Sequence, residues 1–581
     1  MIKIEFSISK LRKRLYAIIL LIAFIFCFIF ARFFYVQIVW GRELQNKALD
    51  QWTRELPIVA ERGVIKDRNG IVMVENQTAY SVYIRPRSVT DPHKVASVLS
   101  SVLGVNEAEV YKKATTKTTS EYVIAKRRTV EDMEKISEYD LSGVYYSKDN
   151  VRSYPYGDFL TQVLGYVSSD NVGQAGLEKY YDKYLRGQDG EILYETDLLG
   201  IQLEGTKVSY TPSVKGLDIV LTIDYAIQQI AEQAMEIAYA VHSPKRAECI
   251  VLDPSSGEIL AMASKPSFDL NDIPRDNVAM LNSLGRNGLV SDSYEPGSTF
   301  KILTASANIE EYFNGNKNAF SLDHVFNSAG TRTVLGRTIK CWTKHTGEKH
   351  VNQTIKDALN NSCNPCFVDM ALALGKETMY KYISAFGYGS VTGVDFVGEA
   401  QGMVLPVSAV TDGDIARIGF GQTIAVTPIQ LAAATASAVN GGYYYVPHFL
   451  KAVYDGDNLV ERVAPVVKNR TVSEKTSAIM AKYLEGVVSE GSGKQAYIEG
   501  YKVGGKTGTA QKYENGVIAQ GKYVASFVGF FPADNPKYLA LVIVDEPVGQ
   551  HYGSTVAAPY AKLIFEGIIN EKGLKAQKDR G

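Results

Sequence analysis

The N-terminal forty residues constrain this chain more than any other segment, because they contain a long uncharged apolar run. The 17 residues from Leu15 to Ala31 carry no charge, and apolar side chains resume after Arg32 and continue to about Ile38. A helix needs roughly 20 apolar residues to cross the hydrocarbon core of a bilayer. Residues 15–38 are therefore predicted to form a transmembrane anchor, with Arg32 reaching outward to the interface.

The charges in front of this run predict its orientation. Residues 1–14 carry five basic side chains and one acidic one, which favours a cytoplasmic tail and places the chain after about residue 39 outside the cell membrane. Tyr35 and Trp40 suit an aromatic belt at the outer interface. The alternative is a cleaved signal peptide, but such a peptide has a shorter apolar core and a small-residue cleavage site. We therefore expect a single-pass protein that keeps its anchor.

Length and composition leave room for several extracytoplasmic domains. The chain has 581 residues and a formal net charge of -1, so it has no basic field that would indicate nucleic-acid binding. Residues 39–218 mix short apolar runs with turn signals, such as the predicted hairpin RGVIKDRNGIVM and the helical pattern GLEKYYDKYLRG. They contain no cluster of catalytic side-chain types. We interpret this part as a spacer or docking module.

The pattern changes near residue 219 and predicts an α+β domain over residues 219–575, followed by a short tail at 576–581. Strand patterns lie at both ends, from ECIVLDPSSGEILAMAS to YLALVIVDE, and helical patterns lie near 299–312, 353–383 and 427–440. Strands at both ends with helices between them are typical of a mainly antiparallel sheet flanked by helices.

Three short motifs carry the chemistry. Ser298 and Lys301 lie one helical turn apart, where a desolvated amine can take the proton of a serine hydroxyl. The Ser362-Cys363-Asn364 motif follows 64 residues later, and the Lys506-Thr507-Gly508-Thr509 motif lies on a predicted strand. Gly508 would let a ligand backbone approach that strand closely. Any one of these motifs is weak alone, but their order and context together indicate serine acyl transfer.

The chain resembles class B penicillin-binding proteins, the single-span transpeptidases of bacterial division, elongation and sporulation. The resemblance covers nearly the whole chain. It rests on the three motifs together with the following segments: RGVIKDRNG, GLEKYYDKYLRG, VLDPSSGEILAMASKPSFDLN, RNGLVSDSYEPGSTFK, GFGQTIAVTPIQLAAATASAVNGG and GGKTGTAQ. It implies a pedestal or dimerisation domain at 39–218 and a β-lactamase-like transpeptidase domain at 219–575.

The resemblance also implies a mechanism in which Ser298 is acylated by the stem peptide of peptidoglycan or by a β-lactam. Lys301 would be the base, and Ser362 would relay a proton. Asn364 would orient the substrate amide, and Lys506 would supply positive charge. The substrate carboxylate would bind Thr507 and Thr509, and the oxyanion would bind the backbone N–H groups of Ser298 and Thr509.

The expected partners and the rival interpretations follow from the same resemblance. A multi-span glycan polymerase and other cell-wall assembly proteins are the expected partners. The alternatives are a β-lactamase, a β-lactam sensor, and a scaffold of an assembly complex in which catalysis is secondary. A β-lactamase would be much shorter, and the metalloprotease motif of the sensors does not occur in the sequence.

One further prediction concerns metal. Cys341, Cys363 and Cys366 fall within 26 residues, with His345 and His350 between them. Three cysteines and one histidine are the ligands of a common structural zinc site, and sporulation-type relatives resemble this region at Cys341, His350 and Cys363. We therefore predict a structural Zn²⁺ bound by Cys341, His350, Cys363 and Cys366. A disulfide and free thiols remain alternatives.

Overall fold

The computed structural model describes residues 8–44, 47, 53–119, 121–196, 202–328, 330–342, 351–514 and 517–576. The helices are α1 Ile8–Ile38, α2 Pro92–Leu103, α3 Glu107–Thr115, α4 Val130–Ser137, α5 Thr161–Leu164, α6 Gly176–Tyr180, α7 Asp182–Leu185, α8 Tyr225–His242, α9 Val278–Leu284, α10 Gly288–Ser291, α11 Lys301–Phe313, α12 Ile355–Asn360, α13 Asn364–Ala385, α14 Asp412–Ile418, α15 Pro428–Val439, α16 Glu474–Ser489, α17 Gly553–Val556 and α18 Ala558–Glu571. The strands are β1 Thr53–Ile58, β2 Ile65–Lys66, β3 Val72–Ile84, β4 Tyr122–Arg128, β5 Val144–Ser153, β6 Gly190–Thr196, β7 Gln202–Thr211, β8 Asp218–Leu221, β9 Arg246–Leu252, β10 Ile259–Lys265, β11 Phe326–Asn327, β12 Thr331–Val334, β13 Arg337–Lys340, β14 Asn352–Gln353, β15 Tyr443–Tyr445, β16 Leu450–Asp455, β17 Asn458–Arg462, β18 Val467–Arg470, β19 Gly504–Glu514, β20 Val517–Phe531 and β21 Tyr538–Asp545.

Helix α1 contains the apolar run and is longer than the predicted span. Its described part starts at Ile8 and includes the basic residues from Lys10 to Arg14, because basic side chains are good helix formers. Its 31 residues rise about 46 Å at 1.5 Å per residue, enough to cross a bilayer core with about three turns to spare. Among the described residues, α1 is the one helix long and apolar enough to span a membrane.

The described chain divides into two compact units. Unit 1 comprises residues 1–60, 78–150 and 188–214. It contains a small antiparallel sheet of β1, β6 and β7, and a separate apolar core where α2, α3 and α4 pack against the second half of β3. Side-chain caps begin each of these three helices. For example, Asp91 accepts a hydrogen bond from the Lys94 backbone N–H.

Unit 2 is built around a five-stranded antiparallel sheet in the order β10-β9-β21-β20-β19. Alternate residues of its central strands face two separate cores, as Cys249 and Ile250 of β9 do. Helices α8 and α18 cover one face, and α11, α13 and α15 contribute to the core on the other. The predicted α+β class with a mainly antiparallel sheet is confirmed, and β19 lies at the edge of that sheet.

Residues 61–77 and 151–187 belong to unit 2, although the sequence interpretation assigned them to the pedestal. The predicted RGVIKDRNGIVM hairpin forms as β2 and the start of β3, and β2 also pairs in parallel with β8. Asp67 closes the turn, because its Oδ1 accepts hydrogen bonds from the backbone N–H groups of Asn69 and Ile71, both at 2.8 Å.

A buried ion network joins these same segments. Glu178 has no exposed surface, and its two carboxylate oxygens accept hydrogen bonds from Arg62 and Arg152, both at 2.6 Å. Arg62 also binds Asp182 at 2.6 Å. Such a network leaves little buried charge uncompensated, and it ties together three segments that are distant in sequence.

The helical run predicted over 353–383 is broken where the second motif lies. Helix α12 ends at Asn360, and α13 begins at Asn364 with Pro365 in its first turn. Between them Ser362 has a φ of 52°, a left-handed conformation that a serine rarely adopts. The break turns the Ser362 side chain out of the helical path, and strain of this kind is often found at functional sites.

Candidate active site

Ser298 lies in a tight turn that leads into α11. Residues Gly297–Phe300 form a 3-10 turn in which Gly297 has a φ of 55°, a value that favours glycine. The Thr299 hydroxyl donates to the Pro296 carbonyl at 2.7 Å. The Gly297 N–H donates to the Gly421 carbonyl at 3.0 Å. These bonds fix the backbone on both sides of a partly exposed Ser298.

Lys301 is fully buried one turn after Ser298, and its amine meets the second motif. Its Nζ donates to the Ser362 carbonyl at 2.7 Å and to Asn364 Oδ1 at 2.7 Å, and it lies 3.2 Å from Ser362 Oγ. Burial lowers the pKa of Lys301 to about 8, against the opposing effect of the three nearby cysteines. A minor but accessible fraction of this amine is therefore neutral at pH 7.

Lys506 approaches the same serine from β19. Its Nζ lies 2.9 Å from Ser362 Oγ, so one hydroxyl is shared by two lysine side chains. Burial lowers the pKa of Lys506 well below the usual lysine value, and the neighbouring Lys301 lowers it further. Two ammonium groups around one hydroxyl repel each other, so the pair carries less than two positive charges at neutral pH.

The third motif places two hydroxyls and a glycine beside the turn Gly297–Phe300, which we call the nucleophile turn because the sequence predicts Ser298 to be the nucleophile. The Thr507 side chain is largely buried, and Thr509 Oγ1 accepts a hydrogen bond from the Gly553 N–H at 3.1 Å. A Cβ atom on Gly508 would lie 2.4 Å from Ser526 Oγ, 3.0 Å from Thr299 Cγ2 and 3.1 Å from the Pro296 carbonyl oxygen. Gly508 therefore permits close packing of β19 against the nucleophile turn, a reason different from the ligand approach that the sequence suggested.

All eight residues predicted for catalysis and substrate binding lie in this part of unit 2. The hydrogen bonds directly join Lys301, Ser362, Asn364 and Lys506. Ser298 is placed beside this hydrogen-bonded group because it lies one turn before Lys301. Such a set can take a proton from a serine, return it to a leaving group and bind an anion beside the reacting carbon.

The three cysteines of the predicted metal site lie close to one another under Lys301. The sulfur atoms of Cys363 and Cys366 are 3.5 Å apart. The pKa of Cys363 is above the usual thiol value: its hydrogen bond with Cys341 lowers it, but the hydrogen bond with Cys366 and burial raise it. None of the five cysteines, all of which lie in the described ranges, forms a disulfide, so the disulfide alternative is not observed.

The metal prediction gains no support from the described residues. Within the described ranges no group of three or more His, Cys, Asp or Glu side chains is arranged to hold a metal ion. His345 and His350 both lie outside the described residues. The fourth ligand of the predicted zinc site therefore has no described position.

Sequence reasoning missed the roles of Glu295 and Thr423. Thr423 has a φ of 63°, which is strained for a β-branched residue, and its N–H donates to Glu295 Oε1 at 2.9 Å. Burial raises the pKa of Glu295, while the Thr423 hydrogen bond and the charge of Arg417 oppose the shift. The acidic residue beside the Pro296-Gly297 turn was a visible signal, but its partner is 128 residues away in sequence.

Comparison with known proteins gives a consistent result along the chain. Residues 248–566 match the penicillin binding protein transpeptidase domain, and residues 57–221 match the penicillin-binding protein dimerisation domain. Stage V sporulation protein D of Bacillus subtilis is 40% identical over 98% of this chain and 87% of its own. The peptidoglycan D,D-transpeptidase FtsI homolog of Mesostigma viride is 29% identical over 93% of each chain. The crystal structure of penicillin binding protein 3 of Mycobacterium tuberculosis with aztreonam has a TM-score of 0.69 and 25% identity, covering 90% of this chain and 98% of its own.

Proposed function

Because the chain belongs to the class B penicillin-binding proteins and is a serine-type peptidoglycan D,D-transpeptidase, we propose that Ser298 is its nucleophile. We assign the transpeptidase domain to residues 219–575. The observation that carries the assignment is the buried Lys301 amine, which lies one turn from Ser298 and within hydrogen-bond distance of the second motif.

In the first half-reaction, Ser298 Oγ attacks the carbonyl carbon of the penultimate D-Ala of a stem peptide. Lys301 in its neutral form accepts the hydroxyl proton, and its pKa of about 8 keeps roughly a tenth of the amine neutral at pH 7. The C–Oγ bond forms, the peptide C–N bond breaks, and D-Ala leaves. A β-lactam would acylate Ser298 by the same attack on its ring amide.

Ser362 is proposed to return the proton to the leaving nitrogen. Its Oγ can accept hydrogen bonds from Lys301 at 3.2 Å and from Lys506 at 2.9 Å. A hydroxyl that accepts from two amines points its own hydrogen elsewhere, toward the substrate. Asn364 holds Lys301 through Oδ1, which supports a role in positioning the base as well as the substrate amide.

The β19 strand is proposed to bind the substrate carboxylate through Thr507 and Thr509. The Thr509 hydroxyl accepts from Gly553, so its hydrogen is available to donate. The backbone N–H groups of Ser298 and Thr509 would bind the oxyanion, and preorganised donors of this kind contribute much of the rate in acyl transfer. Lys506 adds positive potential whenever it is protonated.

The protein is proposed to act at the outer face of the cell membrane. Helix α1 supports a single-pass anchor, and the basic residues at 1–14 support a cytoplasmic N-terminus. The substrate is then lipid-linked or polymerised peptidoglycan outside the cell, and the partner is a multi-span glycan polymerase that supplies the strands. The two half-reactions require no cofactor.

The structural zinc site also remains a proposal. Two thiolates bound tetrahedrally to one Zn²⁺ at about 2.3 Å lie roughly 3.8 Å apart, and the Cys363 and Cys366 sulfur atoms are 3.5 Å apart. Cys341 and His350 would complete the set. Zinc here would hold the loop that carries Ser362 and Asn364, and it would have no part in the chemistry.

Labelling with a fluorescent penicillin tests the nucleophile. The full chain in detergent should be labelled at Ser298, and Ser298→Ala should abolish labelling. Ser293→Ala, which removes an exposed serine five residues earlier, is the matched control and should label normally. Label that survives in Ser298→Ala, or that maps to another serine by peptide mass, contradicts the proposal. Loss of growth complementation by Ser298→Ala separates catalysis from a purely scaffolding role.

A further inference from the structure

A cationic cleft opens directly beside the proposed catalytic groups. It has a volume of about 490 Å³, and its lining includes Arg337 and Lys340 of β13, Arg417 of α14, and Asn364. We propose that this cleft binds a carboxylate of the acceptor stem peptide, the strand whose amine resolves the acyl-enzyme. The inference rests on the transpeptidase function proposed above and names a binding site for its second substrate.

Asn364 connects the cleft to the reacting groups. Its Oδ1 accepts from the Lys301 amine at 2.7 Å, and its Nδ2 donates to the Lys340 carbonyl at 3.1 Å. One side chain thus bridges the proposed base and the wall of the cleft. Asn364 would therefore be the residue that lies between a peptide bound in the cleft and the Lys301 amine.

The cations of the cleft form no ion pair with the carboxylates of the described residues. Within the described ranges, no carboxylate lies within ion-pair distance of Arg337, Lys340 or Arg417, whereas Arg332 on the neighbouring strand binds Asp369 at 2.8 Å. Arg337 and Lys340 are exposed, so they are free to meet a ligand. Guanidinium groups bind carboxylates with two parallel hydrogen bonds, which suits this set to a peptide carboxylate.

Two acidic side chains face these cations and are already engaged. Asp414 accepts from the Thr411 N–H at 3.0 Å and hydroxyl at 2.6 Å in a helix cap, and it also feels the charges of Arg417 and Arg337. Glu295 accepts from Thr423, and burial disfavours its charged form. Three cations against these two acids leave the cleft with net positive potential.

The strained Thr423 lines the same cleft. The left-handed region is unfavourable for a β-branched residue, and such strain is concentrated at functional sites. Glu295 holds Thr423 in this conformation, and Glu295 is also three residues before Ser298. The cleft wall and the nucleophile turn are therefore positioned by the same carboxylate.

The second half-reaction needs such a site. The acceptor amine attacks the acyl carbon, a C–N bond forms, the C–Oγ bond to Ser298 breaks, and the amine proton passes through Lys301 to Ser298 Oγ. Water at about 55 M competes with the amine for the same ester, so an unbound acceptor would lose most acyl groups to hydrolysis. A binding site that holds the acceptor beside the ester raises the effective concentration of its amine, so aminolysis can outpace hydrolysis.

The experiment measures how the acyl-enzyme partitions. The full chain in detergent is acylated with a D-alanyl thioester donor, and two acceptor stem peptides are compared that differ only in a C-terminal carboxylate or carboxamide. The ratio of aminolysis to hydrolysis is independent of how fast the acyl-enzyme forms. We expect the parent protein to favour the carboxylate acceptor by about tenfold, and the preference to weaken at high salt.

The variants decide where the preference arises. Arg337→Gln combined with Arg417→Gln should bring the two acceptors to within about twofold. Arg332→Gln, which removes one positive charge from the β12–β13 hairpin at a residue that does not line the cleft, should keep the preference. Equal use of both acceptors by the parent, or an unchanged preference in the double variant, overturns the proposal. If the double variant formed the acyl-enzyme more slowly but kept the ratio of aminolysis to hydrolysis, the cleft would bind the donor. That result would also overturn the proposal. Failure of the parent to form any acyl-enzyme would instead contradict the proposed function.

Discussion

Adding one methyl group at Gly508 should impair acylation without touching any group that reacts. Even if Ser526 rotates away, the new Cβ would remain 3.0 Å from Thr299 Cγ2 and 3.1 Å from the Pro296 carbonyl oxygen. Ordinary contacts are about 3.5–4.0 Å, so β19 and the nucleophile turn must separate by several tenths of an ångström or more. Overpacking of this kind costs about 1–3 kcal/mol of unfolding free energy.

The effect on the reaction follows from the same displacement. Ser298 and the Thr509 N–H lie on the two sides of the contact, so separation moves the proposed nucleophile away from the proposed oxyanion donor. A misplacement of about 1 Å costs on the order of 10²-fold in rate. We therefore expect Gly508→Ala to lower the second-order rate constant for acylation by a fluorescent penicillin by roughly 10- to 100-fold, together with a lower melting temperature.

Two further variants identify the cause. Gly413→Ala makes the same substitution where the nearest atoms are 3.6 Å away, and it should acylate normally. Thr299→Ser removes the crowding methyl group but keeps the hydroxyl that binds Pro296, so it should restore part of the activity of Gly508→Ala. Acylation by Gly508→Ala within about twofold of the parent would refute the packing argument. Gly508→Ala could instead lose acylation while its melting temperature stays unchanged and Thr299→Ser restores no activity. That result would favour the interpretation that Gly508 lets a ligand backbone approach β19.

Three more outcomes are expected. Lys301→Ala and Lys301→Arg should both lower acylation by at least about 10²-fold, since neither provides a neutral amine, and the parent rate should rise with pH to a plateau above about 8. Glu178→Ala should reduce the unfolding free energy by about 3–5 kcal/mol in urea titrations, because the buried Arg152 would lose its ion pair and Arg62 would retain only the one with Asp182, whereas Glu178→Gln should lose less. Elemental analysis of protein purified without added metal should find close to one zinc per chain and much less in Cys366→Ser; below about a tenth of an equivalent in the parent, the zinc site is wrong.

The sequence predicted most of the site because the motifs encode local structure. Ser298 and Lys301 are one turn apart on any helix, and a Lys-Thr-Gly strand after a glycine pair is recognisable without coordinates. The left-handed Ser362 was not predictable, since the helical pattern runs through it and only tertiary contacts with Lys301 and Lys506 hold it there.

Charged side chains that meet only in the folded structure were the main feature that could not be predicted from the sequence. Arg337 and Arg417 are 80 positions apart and belong to no motif, so nothing in the sequence brings them to one cleft. The sequence also could not predict that Arg62 is buried, because an arginine is usually exposed and becomes buried only where partners such as Glu178 surround it.

The parallel pairing of β2 with β8 limits how the chain can be shortened. A protein that began at residue 219 would keep every proposed catalytic residue. It would lose β2 and the first residue of β8, and with them the ladder in which Ile65 lies opposite Ile219. The remaining sheet would present an unpaired edge, which favours aggregation. A soluble enzyme for inhibitor screening should therefore begin near Thr53, after the membrane helix and at the start of the first strand.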